Sequence, residues 1–440
     1  MQTSTRNEML LKRSLAAVWH PCTQMKQHET LPLIPVAWAK GCWLHDFDGR
    51  RYLDAIGSWW VNLFGHANPR INAALIDQLS RLEHVMLAGF THEPVVELSE
   101  RLSRLTGGKL GHCFYGSDGA SAVEIALKMS FHFWRNSGRE SKTQFVSLTG
   151  SYHGETLGAL AITDVALFKD TYAPLLKTHA QVPSPDSRHV EAGETPMQYA
   201  IRCAGALERH LAAHHSTVAA LVVEPLVQGA GGMAMYDAEY LRRARAICDR
   251  YEVHLIADEI MTGCGRTGTF FAHEQAAITP DFVCLSKGIT GGYLPLSVVL
   301  TRDSIYAAFY DDALTRGFLH SHSYTGNALA CRAALATLDI FESDNVLETN
   351  RLRAAHMNAL AQPLAEHRRI LNFRNTGMIW AFEIDTVEPQ IARRVHEEAL
   401  SRELLLRPIG STVYFMPPYV ISEDELAMLV ERTIQIVELL

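Results

Sequence analysis

The amino-acid sequence predicts an α/β fold: a mostly parallel central sheet with helices on both faces, plus a smaller α+β domain. Three observations lead there. From about Gly111 onward, short runs rich in Val, Ile and Leu alternate with segments of helical period, the pattern of a parallel sheet wrapped by helices. Two of those runs, VHLIADEI and DFVCLSK, bring polar residues of opposite charge, Asp258 and Lys287, to their ends, and Gly-rich turns follow both. At 440 residues the chain is also too long for one compact core. The expected division is an N-terminal segment over 1–62 that joins the small domain, a large domain over 63–335 and a C-terminal small domain over 336–440.

Hydrophobic residue types make up 48% of the chain and charged ones 20%, the balance of a soluble globular protein rather than a disordered or fibrous one. A formal net charge of −8 argues against a nucleic-acid-binding surface. The 8 cysteines stand singly with no CxxC pair, which argues against a zinc ribbon or a disulfide framework and for a reducing, cytoplasmic setting. The early apolar run SLAAVW is shorter than the core of a secretory signal, and no stretch approaches the roughly 20 apolar residues of a membrane span.

Taken in order, residues 1–62 read as loops and short strands, with WLHDFDGRRYLDAIG as a hairpin turning at Asp48-Gly49. Asn68 and Pro69 open a helix expected over 69–82, and Val95, Leu98 and Leu102 mark another over 94–105. HCFYG is a strand and GASAVEIALKMSFHFW a helix, with Ala122, Ile125, Ala126 and Met129 on one stripe. QFVSLTG and VAALVVEPLVQG are strands, the second ended by Pro225, and DAEYLRRARAICDRYE is a helix that Asp237 can cap. LPLSVVLTR is one more strand, and GNALACRAALATLDIFES is a long helix expected to leave the large domain. Beyond Asp344 the pattern becomes α+β and ends in a helix opened by a capping box, Ser422 to Glu425.

Candidate site residues follow from this layout, because open α/β sheets bind ligands at the carboxyl ends of their parallel strands. A carboxylate and a lysine delivered to that edge suit pyridoxal phosphate, which needs a Lys for its aldehyde and an Asp for its pyridine nitrogen. The segment GSDGASAVE opens a helix directly after a strand, so its free N–H groups and helix dipole can cradle a phosphate, although such turns also occur without a ligand. Tyr152-His153-Gly154 lies just past a strand end, where an aromatic ring can cover a flat cofactor or simply pack in a loop. SHSYTGN offers hydroxyls at a helix start, and no Cys or carboxylate spacing accompanies His320 and His322 as a metal site would require. Arg407 ends an apolar strand, where it can hold a substrate carboxylate or form a structural ion pair. Glu259 beside Asp258 leaves open which carboxylate faces the site.

Together, LIADEIMTGCGRTGTFFAHE, PDFVCLSKGITGGYLPLS and HSYTGNALACRAAL resemble the class-III (ω-amino) aminotransferases of fold type I, from about Trp19 to the end of the chain. The runs WHPCTQM, IGSWWVNLFGHANP, EPLVQGAGGM and YFMPPYVI are similar to those members that aminate a long-chain amino-oxo acid; the donor there is usually S-adenosylmethionine and in some relatives lysine. The resemblance implies that Lys287 bonds pyridoxal phosphate, Asp258 binds its pyridine nitrogen and Tyr152 lies against cofactor and substrate. It implies that Gly119 and Ala120 contact the phosphate, and that Ser323, with His322 beside it, reaches the phosphate of a neighbouring subunit in a homodimer. Trp59 and Trp60 are implied to wall the substrate pocket, Ser321 to lie near the substrate and Arg407 to take the acceptor carboxylate, with Gln228 at the ring oxygen and Arg266 helping to place the donor. Cys22, Ala120, Glu155 and the run Ser321-His322-Ser323 depart from residues that other members carry there. An ω-aminotransferase for a diamine, ornithine or 4-aminobutyrate, an aminomutase, and a non-catalytic protein on this fold are the competing readings; the last would be expected to lose Lys287 or Asp258.

Overall fold

A computed structural model describes residues 5–31 and 33–440. They form two units, a larger one of residues 70–354 and 374–380 and a smaller one of residues up to 69, 355–373 and 381–440. The divisions thus fall at 69/70 and 354/355 rather than at the expected 62/63 and 335/336. The helix Ala328–Ser343, expected to leave the large domain, stays in it. Its small residues explain this: Ala330, Ala333, Ala334 and Thr337 are buried, and a side chain added at Gly291 would come within 3.0 Å of the Thr337 hydroxyl.

The larger unit is built on seven strands: β1 (His112–Gly116), β2 (Gln144–Leu148), β3 (Ala180–Val182), β4 (Val218–Val223), β5 (His254–Asp258), β6 (Phe282–Leu285) and β7 (Ser297–Thr301). Their order across the sheet is β1-β7-β6-β5-β4-β2-β3. Every pairing among β2 to β6 is parallel, and only β7 runs against its neighbours β6 and β1. Every residue of β4, β5, β6 and β7 is buried, as expected of strands covered on both faces. One cover is helix α1 (Gly119–Asn136), whose stripe of Ala122, Ile125, Ala126 and Met129 packs on Val222, Ile256, Phe282 and Val299. Removing each of the larger side chains from water contributes about 1.5–3 kcal/mol. Helix α2 (Pro196–His214) has no counterpart in the sequence reading, yet its signal is in the chain: Thr195 and Gln198 form a capping box, and Tyr199, Cys203, Leu207 and Leu211 repeat on one face.

The smaller unit contains a sheet of Val36–Lys40, Trp43–Asp46, Arg51–Asp54 and Leu404–Leu405. The expected hairpin is present, with Trp43 opposite Leu53 and Gly49 at φ +91° in the turn. Leu405 pairs in parallel with Asp54, which sets Arg407 beside the chain leaving that strand. The N-terminal stretch, expected as loops and strands, holds a helix, Arg6–Ala17, that Thr5 and Glu8 cap reciprocally. The final helix, Glu423–Leu439, has the expected box between Ser422 and Glu425. Among the described residues no helix is long and apolar enough to cross a membrane.

Candidate active site

The parallel register of β5 and β6 sets Asp258 opposite Cys284, so that Asp258 and Lys287 leave the sheet at the same edge. Asp258 is buried, and its Oδ2 accepts a 2.8 Å hydrogen bond from His153 Nδ1 while Oδ1 accepts from the Ile260 N–H at 3.2 Å. Strand alternation sends Glu259 elsewhere: its carboxylate accepts from the Ala272 and His273 N–H groups and from His273 Nδ1 at 2.7 Å, fixing the turn Ala272–Ala276. Asp258 therefore stays at the edge where its charge acts on Lys287, whereas Glu259 is bound into the turn that follows.

Lys287 has φ +47°, a left-handed conformation that residues with a Cβ rarely adopt and that clusters at functional sites. Burial pushes its ammonium down to about 8, while the charges of Asp258 and Glu224 pull the other way. Glu224 was not singled out from the sequence. It stands at the end of β4 before Pro225, the same strand-end pattern as Asp258, and that pattern was the available signal. Its carboxylate accepts from the Tyr152 N–H at 3.0 Å and the Gly229 N–H at 2.8 Å. Burial pushes it up to about 7, against the pull of His153 and with the help of Asp258.

Glu224 thus holds the backbone of Tyr152, whose hydroxyl donates to Glu155 at 2.9 Å and whose ring meets Phe168 edge-on at 5.4 Å. His153 donates its N–H to the Thr163 hydroxyl at 2.9 Å, and its Nε2 is buried without a hydrogen-bond partner. Gly154 has φ +124°, and a Cβ there would lie 2.5 Å from that of Ala120, so this loop rests directly on the start of α1. At that start Asp118 caps the Ser121 N–H at 2.9 Å, which leaves the N–H groups of Gly119 and Ala120 with no preceding carbonyl to meet. A Cβ on Gly119 would come 2.9 Å from Ile260, two residues past Asp258, so the start of α1, where the helix dipole favours an anion, abuts the turn after β5.

His322 Nδ1 lies 3.0 Å from the Ser117 hydroxyl in the same strand-to-helix turn, and Ser321 and Ser323 are exposed. The neighbouring His320 accepts from the Lys128 ammonium at 2.9 Å. Gln228 is engaged at both ends of its amide, by the Ser184 hydroxyl and by the Thr149 carbonyl, and Arg266 is fully buried. The smaller unit holds the remaining candidates. Trp59 and Trp60 lie on a left-handed turn, Gly57–Trp60, whose three non-glycine residues each cost about 1–2 kcal/mol. Trp60 is buried edge-on to Tyr414 at 6.0 Å, whereas Trp59 is 42% exposed with the Arg407 guanidinium 4.7 Å above its ring. Arg407 also donates to the Cys22 carbonyl at 3.4 Å, and among the described residues no carboxylate pairs with it.

Residues 24–437 match the family described as aminotransferase class-III. The chain belongs to that family. It is 47% identical to the adenosylmethionine-8-amino-7-oxononanoate aminotransferase of Helicobacter pylori, over 98% of each chain. To the enzyme of the same name from Geobacter sulfurreducens it is 40% identical, over 94% of each. The crystal structure of the Methanocaldococcus jannaschii enzyme of that name aligns with a TM-score of 0.92 at 32% identity, covering 98% of both chains. An amine transaminase from an uncultivated Pseudomonas species, solved in its PLP-bound form, aligns with a TM-score of 0.91 at 31% identity, covering 96% of this chain and 98% of that one. Class-III aminotransferases move amino groups, and the chain is an aminotransferase. The residues present fit pyridoxal phosphate: a buried carboxylate braced by an imidazole, a lysine held in a left-handed conformation at the same sheet edge, an orphaned imidazole nitrogen and a helix start whose first N–H groups, at Gly119 and Ala120, have no helical carbonyl to meet.

Proposed function

We propose that the chain transfers an amino group, from S-adenosylmethionine as donor, to 8-amino-7-oxononanoate, giving the 7,8-diamino acid of biotin biosynthesis. The observation that carries the chemistry is the pairing of Asp258, braced by His153, with Lys287 at the ends of adjacent parallel strands. The substrate choice is supported by near full-length similarity to enzymes of that name from several organisms. Pyridoxal phosphate, when bound, supplies an electron sink for the carbon that loses its proton. Lys287 Nζ takes a proton from the donor's amine-bearing carbon, and an amine whose acidity has been brought to about 8 is a competent base near neutrality. Asp258 keeps the pyridine nitrogen protonated, and His153 keeps Asp258 in place. The start of α1 at Gly119 and Ala120 receives the phosphate, and Tyr152 covers the ring. Arg407 takes the carboxylate of the amino-oxo acid, Trp59 and Trp60 accept its aliphatic chain, and Ser321 lies near the substrate. Ser323 and His322 serve a phosphate across the interface of a cytoplasmic homodimer; the exposure of Ser323 supports that reading.

Lys287→Ala is expected to abolish turnover and the visible absorbance of the lysine-bound cofactor; a variant of full activity would falsify the chemistry. Purified enzyme that converts 4-aminobutyrate or a diamine but not 8-amino-7-oxononanoate overturns the substrate and leaves the chemistry standing. Single-turnover spectra with S-adenosylmethionine and with lysine decide the donor.

A further inference from the structure

The tryptophan pair is carried by an unusual piece of backbone. Gly57, Ser58, Trp59 and Trp60 all have positive φ, between +47° and +73°, and the Trp60 N–H reaches the Ile56 carbonyl at 2.8 Å. This is one full turn of left-handed helix, and L-residues visit that region singly, not in runs. Such a turn persists only where its surroundings over-determine it.

The over-determination comes from Asp54, which is fully buried at the end of its strand. Its Oδ1 accepts from the Ser58 N–H at 2.9 Å and its Oδ2 from the Ser58 hydroxyl at 2.7 Å. The same Oδ2 meets His66 Nε2 at 3.0 Å, and the other ring nitrogen of His66 lies 3.3 Å from the Asn62 amide. Asn62 in turn accepts from the Gly65 N–H at 2.8 Å, and the backbone of His66 pairs with Gly41 in both directions. Flanking backbone bonds close the frame, Met416 N–H to the Ala55 carbonyl at 2.8 Å and Tyr419 N–H to the Leu63 carbonyl at 2.6 Å. The result is two adjacent indoles aimed differently, Trp60 into the core against Tyr414 and Trp59 outward beneath Arg407. A right-handed turn at 57–60 would place both rings differently.

We propose that Asp54 is a positioning residue: through Ser58 and His66 it holds the left-handed turn and so fixes Trp59 and Trp60, and with them the acceptor's aliphatic chain. The last clause rests on the substrate reading above; the claim about the turn does not. Aliphatic recognition then depends on a buried carboxylate that touches no substrate.

The test uses the full-length holoenzyme with Asp54→Ala and Asp54→Asn. Asparagine keeps an acceptor for the Ser58 N–H and a donor for its hydroxyl while losing the acceptor for His66 Nε2; alanine keeps none of the three. Asp54→Ala is expected to raise KM for 8-amino-7-oxononanoate roughly tenfold with kcat within about threefold, as when the competent conformer is populated a tenth of the time. The absorbance of the lysine-bound cofactor is expected to stay unchanged, and Asp54→Asn to restore KM to within about threefold. Fluorotryptophan labelling gives a readout without substrate: the Trp59 and Trp60 resonances, assigned by Trp→Phe variants, should shift or broaden in Asp54→Ala and return in Asp54→Asn. If Asp54→Ala does not fold, His66→Ala, at the half-buried edge of the network, takes its place with the same expectations. Unmoved resonances overturn the claim about the turn, and so does an equal loss in every kinetic and spectral measure. Should the unaltered enzyme refuse 8-amino-7-oxononanoate, the substrate reading falls while the fluorine spectra still judge Asp54.

Discussion

Lys287 combines a left-handed backbone with an ammonium held away from water, two costs concentrated at one residue. Below pH about 8 the folded chain carries a buried charge that the unfolded chain would keep solvated, so the cost is felt in full. Between about 8 and the ordinary lysine value of 10.5 the folded amine is neutral while the unfolded one still binds its proton, so stability recovers as pH rises. Lys287→Met, tested without cofactor, is therefore expected to be more stable than the unaltered chain by roughly 1–3 kcal/mol at pH 7. That advantage should shrink from pH 8 upward; a less stable Met variant at pH 7 would count against a buried charge. Arg407 is the opposite case, an exposed guanidinium with an aromatic ring and one carbonyl for company. Arg407→Met should raise KM for the amino-oxo acid about 10- to 100-fold, the worth of a charged hydrogen bond, while the donor half of the reaction is unchanged. An unaltered KM removes Arg407 from substrate binding. Asp258 and Lys287 are both legible as candidates because each stands at the end of an apolar run, and the two carry opposite charge. Only the tertiary contacts separate Asp258 from Glu259, the first meeting His153 and the second His273.

The start of α1 depends on two small devices, the Asp118 cap and the close seat of Gly154 on Ala120. Asp118→Ala is expected to cost about 1 kcal/mol of stability, since the Ser121 N–H loses its partner. The cofactor should also be lost sooner from the variant on dialysis, because the phosphate end of the helix frays; retention equal to the unaltered enzyme would argue that the phosphate is held elsewhere. Elements with strong local signals, such as α1 and the final helix, were readable from their stripes and caps. Helix α2 carries both signals and the helix Arg6–Ala17 the cap alone, so the start of each is also encoded locally. The direction of β7 is different. No local signal distinguishes a parallel from an antiparallel strand when both are wholly buried, and only its pairings with β6 and β1 determine it.

At the scale of the molecule, the exposed Ser323 beside His322 gives the proposed homodimer its testable form. Sedimentation is expected to return twice the chain mass of 49.0 kDa, and an active monomer would remove the partner's phosphate from the account of Ser323. The strand-and-helix alternation and the candidacy of Asp258, Lys287 and Tyr152 are legible in the sequence alone, because periodicity, caps and strand-end residues are local and survive without coordinates; the family is legible in motifs that resemble its own. Three things waited on tertiary structure. The division of the chain moved because helix Ala328–Ser343 packs by its small residues into the larger unit. Glu224 emerged because only folding brings its carboxylate to the backbone of Tyr152, 72 residues earlier. The Trp59-Trp60 pair was visible as two letters, but its left-handed turn was not: that conformation is locally unfavourable, and it exists because Asp54 and His66, fixed by the sheet around them, stabilise it. Where a conformation runs against local preference, the sequence around it points the other way, and only the assembled contacts can show it.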